Sequence, residues 1–238
     1  MEDRIKSLIE IHVSNFLETR LRTTQKISLG DFEINSFLIS AAREQLGMKN
    51  QKDLARWIVN QRSERGLVTS FGRTLQNIAK AFANEPTMPG FTMTLKKNGE
   101  KYNILITSGP NPYAKRQAVD VREQFEDSIE ANPKSVPVLG MCYGNDEVIG
   151  TIIKIELKGM KYYAGRKFWE FISGEEGCRD EILEIISETA ANFQDIDNKS
   201  ILSITNKKIN HIEEELCDKY GKDEKKFWKN LFSDIYKK

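Results

Sequence analysis

Apolar positions recur at three- and four-residue spacing from the start of the chain, at Ile5, Leu8, Ile9, His12, Val13 and Phe16, with charged residues between them. This spacing predicts a helix with one buried face. His12 lies on the apolar side, where a lone imidazole reads as a packing residue rather than a ligand. Beyond Gly30 and Asp31, residues 34–47 and 51–62 carry two further short helical patterns, punctuated by Gly47 and Gly66. Helices are therefore expected to dominate the first third.

The period changes after Pro89. Residues 91–95 and 102–106 are short β-prone runs, and Lys97-Asn98-Gly99-Glu100 between them is a turn signal, so the segment reads as a β-hairpin. Ser108-Gly109-Pro110-Asn111 breaks the second strand, and a helix begins near Tyr113. Within that helix Ala118, Val121, Phe125 and Ile129 form an apolar stripe, which Ala131-Asn132-Pro133 ends. Residues 136–143 are mostly apolar and suit a central strand, although Pro137 predicts that the strand begins at a sheet edge. The order strand, turn, strand, helix, strand is an α/β pattern. Residues 151–157 alternate with β-branched side chains and read as a strand. Residues 166–172, 179–193, 201–220 and 224–236 read as helices, the last with Phe227, Trp228, Leu231 and Ile235 turned inward.

At 238 residues and 27.4 kDa the chain fits one large domain. Its expected parts are a helical segment at 1–85, an α/β core at 86–175 and a helical segment at 176–238. Thirty-six basic residues face 35 acidic ones, so any DNA-binding face has to come from local segregation of charge. Cys142, Cys178 and Cys217 lack CxxC spacing, which argues against a zinc site or a disulfide framework and for reduced thiols. The first twenty residues carry early acids and no uninterrupted apolar run. They form neither a signal peptide nor a membrane span, and a cytoplasmic location is expected.

Four blocks of sequence resemble a known family. They are residues 69–76 (TSFGRTLQ), the hairpin with its SGPN exit, residues 140–144 (GMCYG) and residues 165–174 (GRKFWEFISG). In this order they resemble type II restriction endonucleases of the PD-(D/E)xK superfamily, in particular the group typified by TdeIII and MjaII, which is linked to GGNCC-type sites. The resemblance implies a restriction-endonuclease-like core: a central mixed β-sheet flanked by helices, with helical N- and C-terminal segments. It also implies a Mg²⁺-dependent, site-specific phosphodiesterase that acts on double-stranded DNA as a homodimer or beside a related subunit. In that family the first strand carries an Asp after a Gly-apolar pair, and the second ends in a Lys just before Ser-Gly-Pro-Asn. Here those positions hold Thr92 and Thr107, and Leu105 stands where an acidic or polar residue is common.

Metal-assisted hydrolysis needs carboxylate oxygens around the cation, and neutral hydroxyls at 92 and 107 predict a degenerate site. Two other sets offer carboxylates. Asp120 and Glu123 lie on the helix after the hairpin, where solvent-facing acids are the plain reading. Asp146 followed by Glu156-Leu157-Lys158 satisfies a D-then-ExK string on an expected turn and strand, where exposed edge charges are the plain reading. For DNA, Ser108, Gly109 and Asn111 offer backbone N–H groups to a phosphate, and Lys115 and Arg116 follow at a helix start. Arg62, Arg65 and Arg73 flank the TSFG block, while Arg166 and Lys167 precede Phe168, Trp169 and Phe171. Two functions remain open: an active site-specific deoxyribonuclease, or an inactive nuclease-fold subunit that binds DNA or a partner. In either case Thr92 and Thr107 are expected on adjacent strands, on one side of the sheet, near the start of the helix that contains Gln117.

Overall fold

The computed structural model of the chain describes residues 1–31, 35–110, 113–194 and 198–235. Its elements in order are α1 (Asp3–Gln25), a 3₁₀ turn (Leu29–Asp31), α2 (Ser36–Gln45), α3 (Gln51–Glu64), α4 (Leu67–Lys80), β1 (Met93–Lys97), β2 (Glu100–Thr107) and α5 (Lys115–Ala131). There follow β3 (Ser135–Met141), α6 (Thr151–Glu156), β4 (Lys161–Ala164), α7 (Arg166–Ser173), α8 (Cys178–Asn192), α9 (Ile201–Tyr220) and α10 (Glu224–Ile235). Two compact units result, Met1–Phe16 with Thr69–Asn192, and Leu17–Val68 with Phe193–Lys238.

The first unit is organised by a sheet of order β1-β2-β3-β4. Asn98 and Gly99 both take positive φ, 53° and 80°, which is the two-residue turn that suits the twist of paired strands. It fixes β1 antiparallel to β2 with Met93 opposite Ile104 and Lys97 opposite Glu100. The β2–β3 and β3–β4 pairs are parallel, so the sheet is mixed and flanked by helices.

Pro137 does not put β3 at an edge, because β3 lies between β2 and β4. Pairing with β4 begins only at Val138, however, so the proline stands on a stretch whose β4 side is locally unpaired and its missing N–H breaks no ladder there.

On one face of the sheet Leu139, Met141 and Ala164 pack with Ala118, Val121 and Phe125 of α5 and with Ile149, Ile153 and Leu157. The fourth inward position of α5 is Ser128, not Ile129, which is 41% exposed. A polar network accounts for the buried serine: Asn103 donates to Ser128 Oγ at 3.3 Å, Thr94 Oγ1 donates to Asn103 Oδ1 at 3.3 Å, and Ser135 Oγ donates to the Ser128 carbonyl at 3.3 Å. Residues 151–156 form helix α6 rather than a strand. Their branched side chains serve either period, and the helical one wins because it turns Ile153 and, one turn on, Leu157 into the core while Ile152 and Ile155 face out.

The other face holds the family-like aromatic helix. A Cβ at Gly140 would lie 2.2 Å from the ring of Phe168, so the strand and α7 meet at a distance only glycine permits. Trp169 stays buried with its indole N–H donated to the Cys142 carbonyl at 2.7 Å. Phe171 is half-buried and stacks on Tyr163 at 4.6 Å.

The second unit is helical. Leu54, Ile58 and Val59 of α3 pack with Ile212 and Leu216 of α9 and with Phe227, Trp228 and Leu231 of α10. Ile34 and the side chain of Ile235 lie outside the described residues. Asn35, Asn50 and Ser200 cap α2, α3 and α9, each accepting from a backbone N–H three residues on. Among the described residues no helix is long and apolar enough to cross a membrane.

Gly140→Ala is expected to lower stability by about 1–3 kcal/mol, as overpacking of a filled core does. Urea denaturation with an unchanged m-value, compared with the parent chain, checks this.

Candidate functional site

The hairpin ends where the nuclease chemistry is expected. Thr92 immediately precedes β1 and stands opposite Leu105, one step beyond the Met93–Ile104 pair. Its N–H donates to the Ile104 carbonyl at 2.9 Å, and its Oγ1 accepts the Ile106 N–H at 2.9 Å. The hydroxyl thus takes the ladder position that a backbone carbonyl would hold. Thr107 is buried at the end of β2, with its hydroxyl directed at the Gly109 carbonyl at 3.2 Å and the Gly140 carbonyl at 3.4 Å. Leu105 shares a strand face with Thr107 and packs against the α5 core. All three positions therefore meet at one corner, and all three are occupied structurally, two by backbone hydrogen bonds and one by packing.

The four family-like blocks converge beyond this corner, at the carboxyl ends of the parallel strands. The β2–β3 ladder continues into the loops, with Cys142 N–H donating to the Thr107 carbonyl at 3.0 Å and Tyr143 N–H to the Ser108 carbonyl at 3.1 Å. A Cβ at Gly72 of α4 would lie 2.8 Å from Ser108 Cβ, and one at Gly109 would lie 2.5 Å from the Tyr143 ring. Gly165, at φ 53°, lies so close to the Gly144 carbonyl that a Cβ would approach it to 2.0 Å. Open α/β sheets present their ligand sites at this edge. Asn111 lies outside the described residues.

Charge at this edge is unevenly engaged. Lys115 and Arg116 form the exposed first turn of α5, and no ion pair engages either among the described residues. Gln117 Oε1 accepts the Ala114 N–H at 2.9 Å, which is half of a capping box; Ala114 has no side-chain oxygen to complete it. Arg166 pairs with Asp180 at 2.8 Å, and Lys167 pairs with Asp146. Arg73 belongs to this unit, whereas Arg62 and Arg65 belong to the helical unit.

The alternative carboxylates lie on α5, in the loop between β3 and α6, and at the end of α6. Asp120 and Glu123 are exposed on α5, off the inward line of Ala118, Val121, Phe125 and Ser128. Asp146 is the partner of Lys167. Glu156, only 11% exposed, accepts from Arg122 at 2.9 Å and ties α6 to α5. Lys158 is exposed in the turn after α6, so the ExK string falls on a helix end instead of the expected strand. Among the described residues no three His, Cys, Asp or Glu side chains gather in a way that holds a metal ion. A Mg²⁺ ion needs carboxylate oxygens, and the residues at the hairpin corner do not fit it.

Three contacts here had no warning in the residue pattern: Thr92 as a ladder acceptor, Tyr143 over Gly109, and the Trp169 indole on the Cys142 carbonyl. The single available signal was the clustering of glycines beside these residues in the family-like blocks.

Comparison with known proteins fits this geometry. The family model of the type II restriction endonuclease EcoO109I matches residues 3–194, and the chain belongs to that restriction-endonuclease family. No curated protein matches the chain.

Burial pushes the Cys142 thiol up to about 12 and raises the Tyr113 phenol to about 12, while a hydrogen bond to Glu100 is the main cause of the same rise at Tyr102. Their neutral forms are favoured in the folded state, so between about pH 9 and 12 the unfolded chain binds fewer protons and stability falls as pH rises. Native-state alkylation followed by mass spectrometry should leave Cys142 unlabelled at mildly alkaline pH and label the half-exposed Cys217 first.

Proposed function

We propose that this restriction-endonuclease family member binds double-stranded DNA at the carboxyl edge of its sheet without hydrolysing it. One observation carries the reading: the hydroxyls of Thr92 and Thr107 are engaged by backbone groups, and among the described residues no three acidic, histidine or cysteine side chains gather to hold a metal ion. Phosphodiester hydrolysis requires an activated water and compensation of the charge that develops on the phosphoryl oxygens. Two neutral hydroxyls and a leucine supply neither. Binding asks less, namely cations and backbone N–H groups facing phosphates. Lys115 and Arg116 offer the cations beside the start of α5, where the helix dipole favours an anion, and half-buried Ser108 offers a backbone N–H.

GGNCC-type duplexes, the sites linked to the TdeIII and MjaII group, are the proposed target class. A palindromic site favours a two-fold assembly, either two copies of this chain or one copy beside a related subunit.

The purified chain is expected to leave GGNCC-containing duplexes intact in Mg²⁺ or Mn²⁺ while shifting them in a mobility assay. Replacing Lys115 and Arg116 with alanine should weaken binding to every duplex and lower the slope of log affinity against log salt by about two, one phosphate contact per cation. Metal-dependent cleavage by the parent chain, abolished by changing Glu123 or by changing Glu156 with Lys158, would sink the non-hydrolytic reading. An unchanged salt slope in the double variant would sink the binding surface.

A further inference from the structure

The helical unit carries an open pocket of about 700 Å³ between the end of α2 and α10. The α10 side of it lies beyond residue 194, where the family match stops, so the family does not account for this feature. Its volume falls within the range of small-ligand sites.

We infer that this pocket binds a phosphate ester borne by a nucleotide. The Arg43 guanidinium lies 4.7 Å from the centre of the Trp228 ring. That ring is itself fixed, because its indole N–H donates to the Lys49 carbonyl at 2.9 Å and Phe232 stacks on it at 6.0 Å and 25°. A guanidinium held over an anchored aromatic is a pre-oriented fork, the geometry that matches two phosphate oxygens at once. Its Nε makes only a long ion pair with exposed Glu44, at 3.8 Å and beyond hydrogen-bond distance.

Lys49, Lys225 and Lys229 also line the pocket, are exposed, and have no ion pair among the described residues. With Arg43 they make four cations against two acids, Glu44 and Glu224. The negative end of α2 does not oppose an anion strongly, since Leu46 N–H caps the Ala42 carbonyl at 2.8 Å and Met48 N–H the Arg43 carbonyl at 2.9 Å. Three exposed ammonium groups around one anchored fork suit a compact, multiply charged oxyanion. The half-buried ring of Phe232 adds an apolar wall for the sugar or base that a nucleotide brings with it.

The phosphate ester has two possible sources, a free nucleotide or a nucleic-acid backbone, and two probes separate them. Full-length protein is titrated with deoxyadenosine monophosphate by calorimetry and with a short fluorescein-labelled duplex by anisotropy. Arg43→Gln combined with Lys229→Gln is expected to weaken at least one probe about tenfold, the scale of hydrogen bonds to charged groups. Arg43→Lys, which keeps the charge and loses the fork, should not restore it. Loss for the mononucleotide assigns the free nucleotide, and loss for the duplex alone assigns the strand backbone. Lys225→Gln with Lys229→Gln, both exposed on α10, serves as the second variant if the Arg43 change disturbs folding by circular dichroism. The Lys115→Ala and Arg116→Ala protein should bind the mononucleotide as the parent does, which separates this site from the sheet edge. Failure of the parent chain to bind either probe, equal affinities in parent and variants, or full recovery by Arg43→Lys overturns the proposal.

Discussion

The parallel pairing of β2 with β3 is the constraint on which the first unit depends. Its register puts Leu105 beside Leu139 and Thr107 beside Met141, and the ladder then runs past the strand ends through Thr107–Cys142 and Ser108–Tyr143. Backbone hydrogen bonds rarely continue so far into loops unless both loops are held. Here they are held by close approaches at glycine, with α4, the β2 exit, the β3 exit and the start of α7 touching one another. A shift of one residue would turn Leu139 and Met141 away from α5 and drive Phe168 against a side chain instead of Gly140. The pairing thus determines the core on both faces and the geometry of the edge.

Much of this was legible from residue pattern. Asn98-Gly99 fixed the hairpin, because few sequences besides Asn-Gly adopt two consecutive positive φ values cheaply. The helices at α1, α2, α3, α9 and α10 announce themselves by apolar period, whereas the Asn and Ser caps of α2, α3 and α9 emerge from the structure. The misreadings have separate causes. Residues 151–157 include the β-branched Thr151, Ile152, Ile153 and Ile155, and a short run of this kind fits either period until tertiary contacts choose. Ile129 and Ser128 exchange places because a hydrogen-bonded cluster with Asn103 outweighs the apolar preference at one helix position. Helix α4 and strand β4 drew no assignment, the first although Phe71, Leu75 and Ile78 recur at helical spacing around Gly72, and the second having only four residues.

The candidate site was legible in composition and not in detail. That 92, 105 and 107 lack charge is plain from the chain itself. That the two hydroxyls are engaged by the Ile106 N–H and by the Gly109 and Gly140 carbonyls is a matter of atoms, and no spacing rule reaches it. The string Asp146 with Glu156 and Lys158 shows the converse. It satisfied a pattern on paper, and folding assigned its acids to Lys167 and Arg122 on separate elements.

The occupied corner also governs which mutational histories are open to this lineage. A lysine arriving alone at 107 would bring an ammonium into a buried place that offers only neutral carbonyls, and a glutamate arriving alone at 105 would desolvate a carboxylate against the α5 core. Only position 92 admits its acid early, since a carboxylate there can still accept the Ile106 N–H. Each remaining step is unfavourable until its counter-charge is present, so a charged triad at 92, 105 and 107 is not reached by single favourable substitutions. Substitutions at this corner are therefore coupled, the effect of each depending on which charges already stand beside it.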